Sequence, residues 1–573
     1  MSIDPGEATV LGPRSGVLRR ESETLPARRS PLRSMIMCLW PWLLAALSGG
    51  LVGLTFPPYD HAGIVWFALT PLIAALWFSP TEGRWRPLRL FGLGYVFGLA
   101  FFWTTLFWIT SVTALGWFVL AFYLGLYPAV WGLFLGVACR PADARGSHPI
   151  ESSEWLKSSV NLRLALRGAA GWVAIDWLRG TFLTGFGWDS MGVALWKNAV
   201  MIQIADITGV AGVSFIIVLV NLILVMTVRR MMLEASRPRL LRPHFDFTLT
   251  MALVGVVFCY GIYRINEYPK KGLYPLSVAA AQGNIPQNFD PDPTFEQHIL
   301  EVYNRLSAIA AAKHPSLLIW PEAAIPRPLL NDDEMKQDAS AILAKLHGDF
   351  LLGSVNFFLG KAYNSAVLLD PAGYPQVYNK IHLVPFGEYV PFRHTFPLFA
   401  WIVGQEIPSD FDAGTEPVVM TLSRSHPVRV GTLICFEDTL GDLTRQFAQK
   451  GAEMLVTLTN DGWFGHSAGS YQHLANAVFR CAETKLPLVR CANTGVTCVV
   501  DPFGHVTKTF ESPQGNTFIE GVMFADVPIL PVPPQTFYTR YGDIFALACV
   551  AAALLSLRTL LFTARRPRKG NAE

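Results

Sequence analysis

Residues Val430–Asp438 read Val-Gly-Thr-Leu-Ile-Cys-Phe-Glu-Asp, which predicts a buried β-strand that ends at Cys435 and is followed at once by acidic residues. A cysteine in this place holds its sulfur at the rim of a sheet, where a neighbouring base or cation makes it nucleophilic. By itself the pattern is more typical of a small buried apolar residue. The function of Cys435 therefore depends on what the rest of the chain places beside it.

The composition of the 573-residue chain indicates that part of it lies in lipid. Hydrophobic residues make up 51% and charged residues only 16%, with a mean hydropathy of +0.33, whereas soluble domains carry about 25% charged residues. The net charge is only +3, and no stripe of Lys and Arg with interleaved aromatics is present. We therefore expect a membrane protein without a nucleic-acid partner.

Eight apolar runs approach the ~20 residues that cross a bilayer. Seven precede a long mixed region and one follows it, and they cover about 35–56, 62–78, 90–109, 115–138, 165–183, 204–228, 247–263 and 544–562. The first run is longer than a signal-peptide core and further runs follow it, so we expect an uncleaved helix. The sequence thus predicts a membrane domain of seven transmembrane helices over 35–264 and an eighth helix over 543–563.

Basic residues are distributed asymmetrically around these runs. The tails 1–34 and 564–573 and the connections after the second, fourth and sixth runs are rich in Arg. The connections after the first and third runs have no Lys or Arg, and the one after the fifth has only Lys197. Because cytoplasmic segments carry the basic excess, we expect both tails in the cytoplasm, the first of them disordered. Region 264–543 then lies outside, in the periplasm of a Gram-negative cell, with the helices in the inner membrane.

Two ionisable residues lie within the fifth run. Asp176 and Arg179 are three residues apart, so they pair on one face of a helix. Ionisable groups at membrane depth indicate a function by default, but a structural pair near the outer interface fits the sequence equally well.

Residues 274–530 are predicted to form a layered α/β or α+β domain with a large sheet, because short apolar runs alternate with turns. Helical spacing covers 296–312 and 335–346. The predicted strands are 277–281, 316–319, 350–352, 366–369, 428–434, 454–459, 488–491 and 498–500.

Three further stretches place polar residues after predicted strands of this domain. Glu322 follows a strand and a Trp-Pro pair, Lys380 and Glu388 flank a Gly/Pro turn, and the segment Thr459–Gly465 follows another strand. Each stretch alone is typical of a solvated strand end. Together they predict a glutamate, a lysine and Cys435 at one sheet edge.

This combination of side chains predicts acyl-transfer chemistry. Glu322 accepts the thiol proton, while Lys380 lowers the pKa of Cys435 and stabilises an oxyanion, to which the backbone N–H of Phe436 also donates. Glu388 orients its neighbours. The expected intermediate is an acyl thioester that an amine or water resolves.

The order of glutamate, lysine and cysteine, with the motifs around them, resembles the nitrilase (carbon–nitrogen hydrolase) superfamily. The eight runs, together with Gln282–Gln287, Trp177–Gly180 and Asn493–Gly495, resemble the apolipoprotein N-acyltransferase family. The resemblance covers nearly all of the chain between about residues 40 and 560. It implies a nitrilase-like αββα sandwich over 274–530.

The resemblance also implies a reaction, the last step of lipoprotein maturation. An acyl chain would pass from the sn-1 position of a phospholipid to Cys435, and then to the α-amino group of the diacylglyceryl-cysteine at the start of a lipoprotein. Glu322 would be the general base and Lys380 the oxyanion partner, with no cofactor and no metal. The supporting residues would be Glu388, Phe436 and Glu437, and the substrate-binding residues would be Phe289, Trp401, Asn460 and Trp463.

The chain departs from the family pattern in three places. Phe436 stands where the family commonly has Tyr, so a hydroxyl is lost there. Asn288–Pro291 replaces a common Lys-Trp, which leaves Phe289 as the aromatic contact, and Gly185–Trp188 reads Gly-Phe-Gly-Trp rather than Gly-Phe-Pro-Trp. None of these changes removes the glutamate, the lysine or the cysteine.

An apolar stretch, Thr395–Val403, has two interpretations. It packs in a core, or the loop 395–408 dips into the outer leaflet and gates lipid entry, since Trp and Phe suit the interface. His382 and His473 are interpreted as structural hydrogen-bonding residues because no metal-ligand spacing is present. A disulfide among Cys481, Cys491 and Cys498 is not supported by their spacing.

Two other functions fit parts of the pattern. A membrane-anchored amidase would use the same three residues with water as the acceptor, and a scaffold or transporter would carry the domain without catalysis. Eight spans exceed what an anchor needs, which favours a lipid substrate, and the complete catalytic set argues against the scaffold. We expect a monomeric acyltransferase whose partners are a phospholipid, a lipoprotein and the membrane.

Overall fold

A computed structural model describes residues 31–79, 83–141, 153–235, 243–269, 271–286, 293–393, 395 and 410–564, with side chains between 39 and 559. Phe289 and Trp401 lie outside the described residues, as do most of Thr395–Val403 and of both tails. Residues 1–40 and 41–573 form separate units.

The helices of the N-terminal part coincide with the predicted apolar runs. Each run is helical, although a short 3₁₀ segment replaces part of several of them. The helices are α1 Pro31–Gly53, α2 Thr70–Phe78, α3 Arg86–Thr105, α4 Ala114–Ala138, α5 Glu154–Thr181, α6 Ala205–Thr208, α7 Val210–Glu234 and α8 Phe245–Glu267.

Four helical segments of the described chain are long and apolar enough to cross a membrane, namely Arg86–Ser111, Ala114–Ala138, Val210–Glu234 and Phe245–Glu267. Leu39–Gly53, Ala62–Phe78 and Ile544–Thr559 are apolar but shorter. Helix α5 carries several charged residues and is not among them. The count of eight spans therefore stays a prediction.

Close packing joins α3 to α4. Gly94 and Gly98 on α3 face Gly125 and Pro128 on α4, and a Cβ on Gly94 would clash with the backbone of Pro128. Small residues at a helix contact let two backbones approach closely, which is how helices pack in lipid.

Residues 274–529 form two six-stranded sheets. The first sheet has the order β12-β1-β2-β3-β4-β5 and the second β11-β10-β9-β8-β7-β6. The strands are β1 Tyr274–Gln282, β2 Leu317–Ile319, β3 Asp349–Phe358, β4 Lys361–Leu369, β5 Pro375–Asn379, β6 Val419–Thr421, β7 Arg429–Ile434, β8 Met454–Thr459, β9 Leu488–Ala492, β10 Cys498–Val500, β11 Val506–Thr509 and β12 Gly521–Ile529. Strands β1 to β3 are parallel, as are β7 to β9, and the remaining pairs are antiparallel.

The two sheets face each other, and helices cover their outer faces. Cys491 on β9 lies 3.4 Å from the carbonyl oxygen of Ala281 on β1, across the layer between the sheets. Outside the first sheet lie α9 Pro293–Ala311 and α10 Asp333–Leu346, close to their predicted ranges. The remaining helices are α11 Gly441–Gln449, α12 Gly469–Thr484, α13 Phe537–Tyr541 and α14 Ile544–Ala564. The α/β domain is thus the αββα sandwich that the resemblance implies.

The sequence missed four strands, β5, β6, β11 and β12. Three of them are short and partly exposed, so their polar residues hide the alternation that marks a strand. β12 contains Pro528, which is tolerated because this strand lies at a sheet edge. The missed strands complete the two sheets of the αββα sandwich.

Candidate active site

Cys435 lies where β7 ends and a 3₁₀ turn, Cys435–Thr439, begins. Its φ angle is 52°, in the left-handed region that a residue with a side chain seldom adopts. This conformation costs on the order of 1–3 kcal/mol and persists only where its surroundings hold it. The turn leaves Cys435 only partly buried, at the rim of the second sheet.

Glu437 supplies much of that support. Its fully buried carboxylate accepts hydrogen bonds from the backbone N–H of Ile434 at 2.9 Å and from those of Ile381 and His382 at 2.8 and 3.1 Å. The hydroxyl of Tyr378 donates at 2.9 Å. Burial raises the pKa of Glu437 to about 7, against the effect of these donors. Glu437 therefore fixes the turn after β7 to the segment that follows β5.

Lys380 is the centre of a buried charged group, which we call the lysine cluster: Glu322, Asn364, Lys380 and Glu388. The Lys380 ammonium donates to Glu322 Oε1 at 3.3 Å and to Glu388 Oε1 at 2.9 Å. Asn364 Nδ2 contacts the same two oxygens at 2.8 Å each. One cation and one amide thus hold the two carboxylates in place.

The electrostatics of this site keep the lysine charged and the thiol protonated. Burial alone would lower the pKa of Lys380, but the charges of Glu322 and Glu388 raise it above its ordinary value. Burial and the Glu322 carboxylate raise the pKa of the Cys435 thiol well above its usual range. Lys380 acts on the thiol in the lowering direction, as expected, but is outweighed.

The expectation of a single sheet edge is wrong. Glu322 and Lys380 follow β2 and β5 of the first sheet, whereas Cys435 and Asn460 follow β7 and β8 of the second. A direct contact joins the two sides, because the backbone N–H of Asn460 donates to Glu322 Oε2 at 3.0 Å. Trp463 lies four residues beyond the end of β8, in the 3₁₀ turn Asp461–Phe464, and is exposed.

A second buried group lies behind the nucleophile, and we call it the histidine cluster: Asp438, Asp461, His473 and Arg490. His473 Nε2 lies 2.8 Å from Asp438 and Nδ1 lies 3.1 Å from Asp461, which also pairs with Arg490 at 3.1 Å. Burial alone would lower the pKa of His473, but Asp438 and Asp461 raise it to about 9 against the effect of Arg490. His473 Nε2 is also 3.3 Å from the carbonyl oxygen of Cys435. These contacts are those of a structural hydrogen-bonding residue, and that interpretation of His473 stays a prediction.

Phe436 lies in an aromatic stack. Its ring is nearly parallel to that of Trp188 at 6.3 Å and is tilted by 20° from Phe186 at 6.4 Å. The ring of His382 stacks on it at 5.8 Å. Phe436 thus packs by its faces, between the α/β domain and the segment that follows α5.

Asp176 and Arg179 form the predicted pair, with Arg179 Nη2 2.6 Å from Asp176. Arg179 Nη1 donates to the carbonyl oxygens of Phe186 and Trp188 at 2.8 and 2.6 Å. The pair therefore holds the segment whose rings stack on Phe436, which supports a structural function for it.

Gln472 on α12 joins the two parts of the chain. Its Nε2 donates to the carbonyl oxygens of Pro57 and Thr105 at 2.8 and 2.9 Å. Its Oε1 accepts from the indole nitrogens of Trp108 and Trp188, both at 2.9 Å. All four hydrogen bonds of this buried amide reach residues more than 280 positions earlier in the sequence.

Sequence reasoning missed Asn364, Gln472, Asp438 and Asp461 as site residues. Asn364 lies within a strand and Gln472 within a helix, and neither belongs to a recognisable motif. The two aspartates do lie within the stretches Val430–Asp438 and Thr459–Gly465, directly after Glu437 and Asn460. Their position next to a predicted strand end was the available signal.

A cavity of about 420 Å³ adjoins the site. It is lined by Thr184, Ile381, His382, Leu383, Tyr389 and residues 410–413. Within the described residues, no group of three or more His, Cys, Asp or Glu side chains has the arrangement of a metal site. In that same part of the chain Cys481, Cys491 and Cys498 are buried and form no disulfide.

Comparison with known proteins divides the chain in the same way. The family model described as apolipoprotein N-acyltransferase N-terminal domain matches residues 48–223, and the one described as carbon-nitrogen hydrolase matches residues 277–529. Over 533 residues the chain is 36% identical to an apolipoprotein N-acyltransferase of Geobacter metallireducens, covering 89% of this chain and 94% of the relative. A relative of the same name from Bradyrhizobium diazoefficiens is 30% identical over 573 residues, with 93% and 97% covered.

Among solved structures, an amidase from Nesterenkonia sp. is similar to this chain at 17% identity with a TM-score of 0.32. The match covers 49% of this chain and 95% of the amidase.

Proposed function

The chain belongs to the apolipoprotein N-acyltransferase family, and from that premise we propose that it N-acylates lipoproteins through a thioester on Cys435. The acyl donor is the sn-1 chain of a phospholipid, and the acceptor is the α-amino group of an N-terminal diacylglyceryl-cysteine. The observation that carries the proposal is the contact of one buried lysine with two carboxylates, at 3.3 and 2.9 Å, beside a strand-end cysteine.

The protein is an acyltransferase of the membrane, and we place its α/β domain on the periplasmic side of the inner membrane. The helix ends that touch this domain support the placement. They are the C-terminal ends of α1, α3 and α5, through Pro57, Thr105 and Trp188, and the N-terminal end of α7, through Val210. Successive membrane helices run in opposite directions. If residues 35–264 cross seven times and 543–563 once, the C-terminal ends of α1, α3 and α5 and the N-terminal end of α7 therefore lie at the same membrane face.

The first half of the reaction forms the thioester. As the sulfur of Cys435 attacks the ester carbonyl carbon, Glu322 takes the thiol proton. The carbonyl electron pair moves to oxygen, where the Phe436 N–H and the third N–H of Lys380 stabilise it, since Glu322 and Glu388 engage the other two. Collapse breaks the C–O bond, and Glu322 returns the proton to the departing lysophospholipid.

The second half transfers the acyl chain. The neutral α-amino group attacks the thioester carbonyl carbon and gives one proton to Glu322. Collapse breaks the C–S bond, the amide leaves, and the proton returns to the Cys435 sulfur. Lys380 keeps its charge through both halves because Glu388 faces it throughout, and either the Glu322 carboxylate or the oxyanion supplies a second negative charge.

Substrate contacts are proposed for residues around the cavity. Asn460 and Trp463 follow β8, where the Asn460 N–H contacts Glu322, and the cavity of about 420 Å³ lies beside His382. Phe289 and Trp401 remain candidates outside the described residues. The reaction is proposed to use no cofactor and a single copy of the chain.

Acceptor specificity separates this proposal from an amidase with the same three residues. Purified protein is incubated with phospholipid and a synthetic diacylglyceryl-cysteine peptide, and the masses of the products are measured by mass spectrometry. We expect one acyl chain added per peptide and one lysophospholipid released, with no addition to a peptide whose α-amino group is acetylated. Release of free fatty acid, or of ammonia from an amide, without acylated peptide would contradict the proposal.

A further inference from the structure

The hairpin between β3 and β4 has an apolar tip. Phe357, Phe358 and Leu359 are 51%, 66% and 86% exposed, three consecutive large hydrophobic residues at the surface of the α/β domain. Isolated exposed apolar residues are common, but a contiguous group of them marks an interaction site. We define the hairpin tip as Phe357–Lys361.

The tip is ordered by its own hydrogen bonds. The ladder of the two strands continues to the pair Phe358 and Lys361, so only two residues form the turn. The side chain of Asn331 accepts from the N–H of Phe357 at 2.9 Å and donates to its carbonyl oxygen at 3.0 Å. The phenylalanines are therefore presented by a fixed backbone.

The turn contains a residue that its geometry disfavours. Leu359 and Gly360 both have positive φ, 50° and 77°, as the type I′ turn of a two-residue hairpin requires. Asn, Asp or Gly normally occupies the first of these positions, because a larger side chain is strained there. An exposed leucine in this place lowers stability without contributing to a core, which indicates that another surface uses it.

Strand register places the tip on the side of the active site. Ile319 of β2 pairs with Leu351 of β3, and Glu322 follows three residues after Ile319. β3 continues seven residues past Leu351 to Phe358, about 23 Å at ~3.3 Å per residue. The tip therefore extends from the sheet edge at which Glu322 lies.

The same edge of the sandwich faces the ends of the helices. Phe464, which follows β8, packs against Trp108 beyond α3 with ring centroids 4.4 Å apart. Phe436, which follows β7, stacks on Trp188 beyond α5. A hairpin that extends from this edge extends toward the plane in which those helices end.

We propose that the hairpin tip inserts into the lipid leaflet that surrounds these helix ends. Two phenylalanines and a leucine suit the boundary between acyl chains and headgroups. Lys361 follows directly and is exposed, and its ammonium pairs with Asp412 at 3.5 Å, so polar groups border the apolar residues on the side of the domain. The inference rests on the proposed membrane location but not on acyl transfer. It assigns a lipid contact to the α/β domain in addition to the lipid contacts of the membrane helices.

Spin labelling tests this inference with an internal control. Cys38, Cys259 and Cys435 are replaced by Ser, and a single cysteine carrying a nitroxide is introduced as Phe358→Cys in purified protein in phospholipid nanodiscs. The control is Tyr374→Cys, because Tyr374 is 72% exposed in the β4–β5 turn at the opposite end of the same sheet. Collision rates with oxygen, which concentrates in lipid, and with a water-soluble nickel chelate are measured.

We expect the ratio of the oxygen collision rate to the chelate collision rate to be at least three times higher at position 358 than at position 374. Equal ratios would overturn the inference, since both labels would then be in water. A label at 358 that neither reagent reaches would also overturn it, because protein would cover the tip. The outcome is independent of the proposed reaction, since the tested protein lacks Cys435.

Discussion

The lysine cluster and the histidine cluster are both buried and both adjoin Cys435, yet they differ in charge. In the lysine cluster two carboxyl groups, Glu322 and Glu388, face the single ammonium of Lys380, so acidic groups outnumber basic ones. The histidine cluster has two carboxylates and two cationic groups, since the pKa of His473 is raised to about 9. A proton taken from the thiol neutralises the first cluster and would unbalance the second.

Their contacts with the nucleophile differ as well. The lysine cluster interacts with the thiol, whose pKa Glu322 and Lys380 shift in opposite directions. The histidine cluster contacts the backbone, because His473 reaches the carbonyl oxygen of Cys435. Its Asp461 also raises the pKa of the thiol, but by less than Glu322 does. The comparison teaches that burial of charge does not by itself identify a catalytic group. The cluster with an unbalanced charge on the thiol side is the one assigned to the reaction.

The largest expected effect is on the lysine cluster. Glu322→Gln removes the base but keeps the shape, and Lys380→Met removes the charge opposite the oxyanion. We expect each to reduce the rate of thioester formation by about 10²–10⁴, measured with labelled phospholipid in single-turnover assays. Glu520→Gln, in an exposed ion pair of the same domain, is the matched control and should keep the rate. A fall of less than tenfold for Glu322→Gln would place the base elsewhere.

The histidine cluster is expected to make the stability of the folded protein depend on pH. The pKa of His473 is raised from 6.5 to about 9 in the folded protein. Its contribution, on the order of 3 kcal/mol, is therefore fully present below pH ~6.5 and is lost as the pH rises through about 9. His473→Gln should lower the unfolding temperature at pH 6 and narrow its difference from the wild type by pH 10. A difference that stays constant across this range would contradict the charged state of His473.

A smaller effect on the rate of thioester formation is expected from Gln472, which precedes His473 on α12 and joins the α/β domain to the helices. Gln472→Glu removes the two N–H donors to the carbonyl oxygens of Pro57 and Thr105, which should lower the free energy of unfolding by about 2–4 kcal/mol. Because Gln472 also holds Trp188 against Phe436, we expect an altered near-UV circular dichroism spectrum and a roughly tenfold slower thioester formation. Gln514→Glu, in an exposed loop, serves as the control. An unchanged rate with a lowered unfolding temperature would limit Gln472 to a structural function.

The sequence predicted those site residues that lie directly after a strand. Cys435, Glu322 and Lys380 all lie just after strands, so their positions followed from short apolar runs and the turns after them. The division into two sheets followed only from the family resemblance and not from the apolar runs, because β5 and β6 are short and partly exposed. The expected single edge failed for that reason.

Contacts between distant parts of the chain were equally hidden. Asn364 joins residues from two loops, and Gln472 joins an α/β-domain helix to segments 284 to 415 positions earlier. Such pairs depend on how the parts pack, which local patterns do not encode. The pair of Asp176 and Arg179 was predictable because one helix carries both residues, but its contact with the Phe186–Trp188 segment was not.

The most direct test of the account is whether Cys435 carries the acyl chain. Purified protein is incubated with a phospholipid labelled in its sn-1 chain, without an acceptor, and then treated with neutral hydroxylamine, which cleaves thioesters. The account predicts label on the wild-type protein that hydroxylamine releases, and no label on Cys435→Ala. Label that persists on Cys435→Ala, or a wild-type protein that acylates the peptide but never carries hydroxylamine-sensitive label, would contradict it.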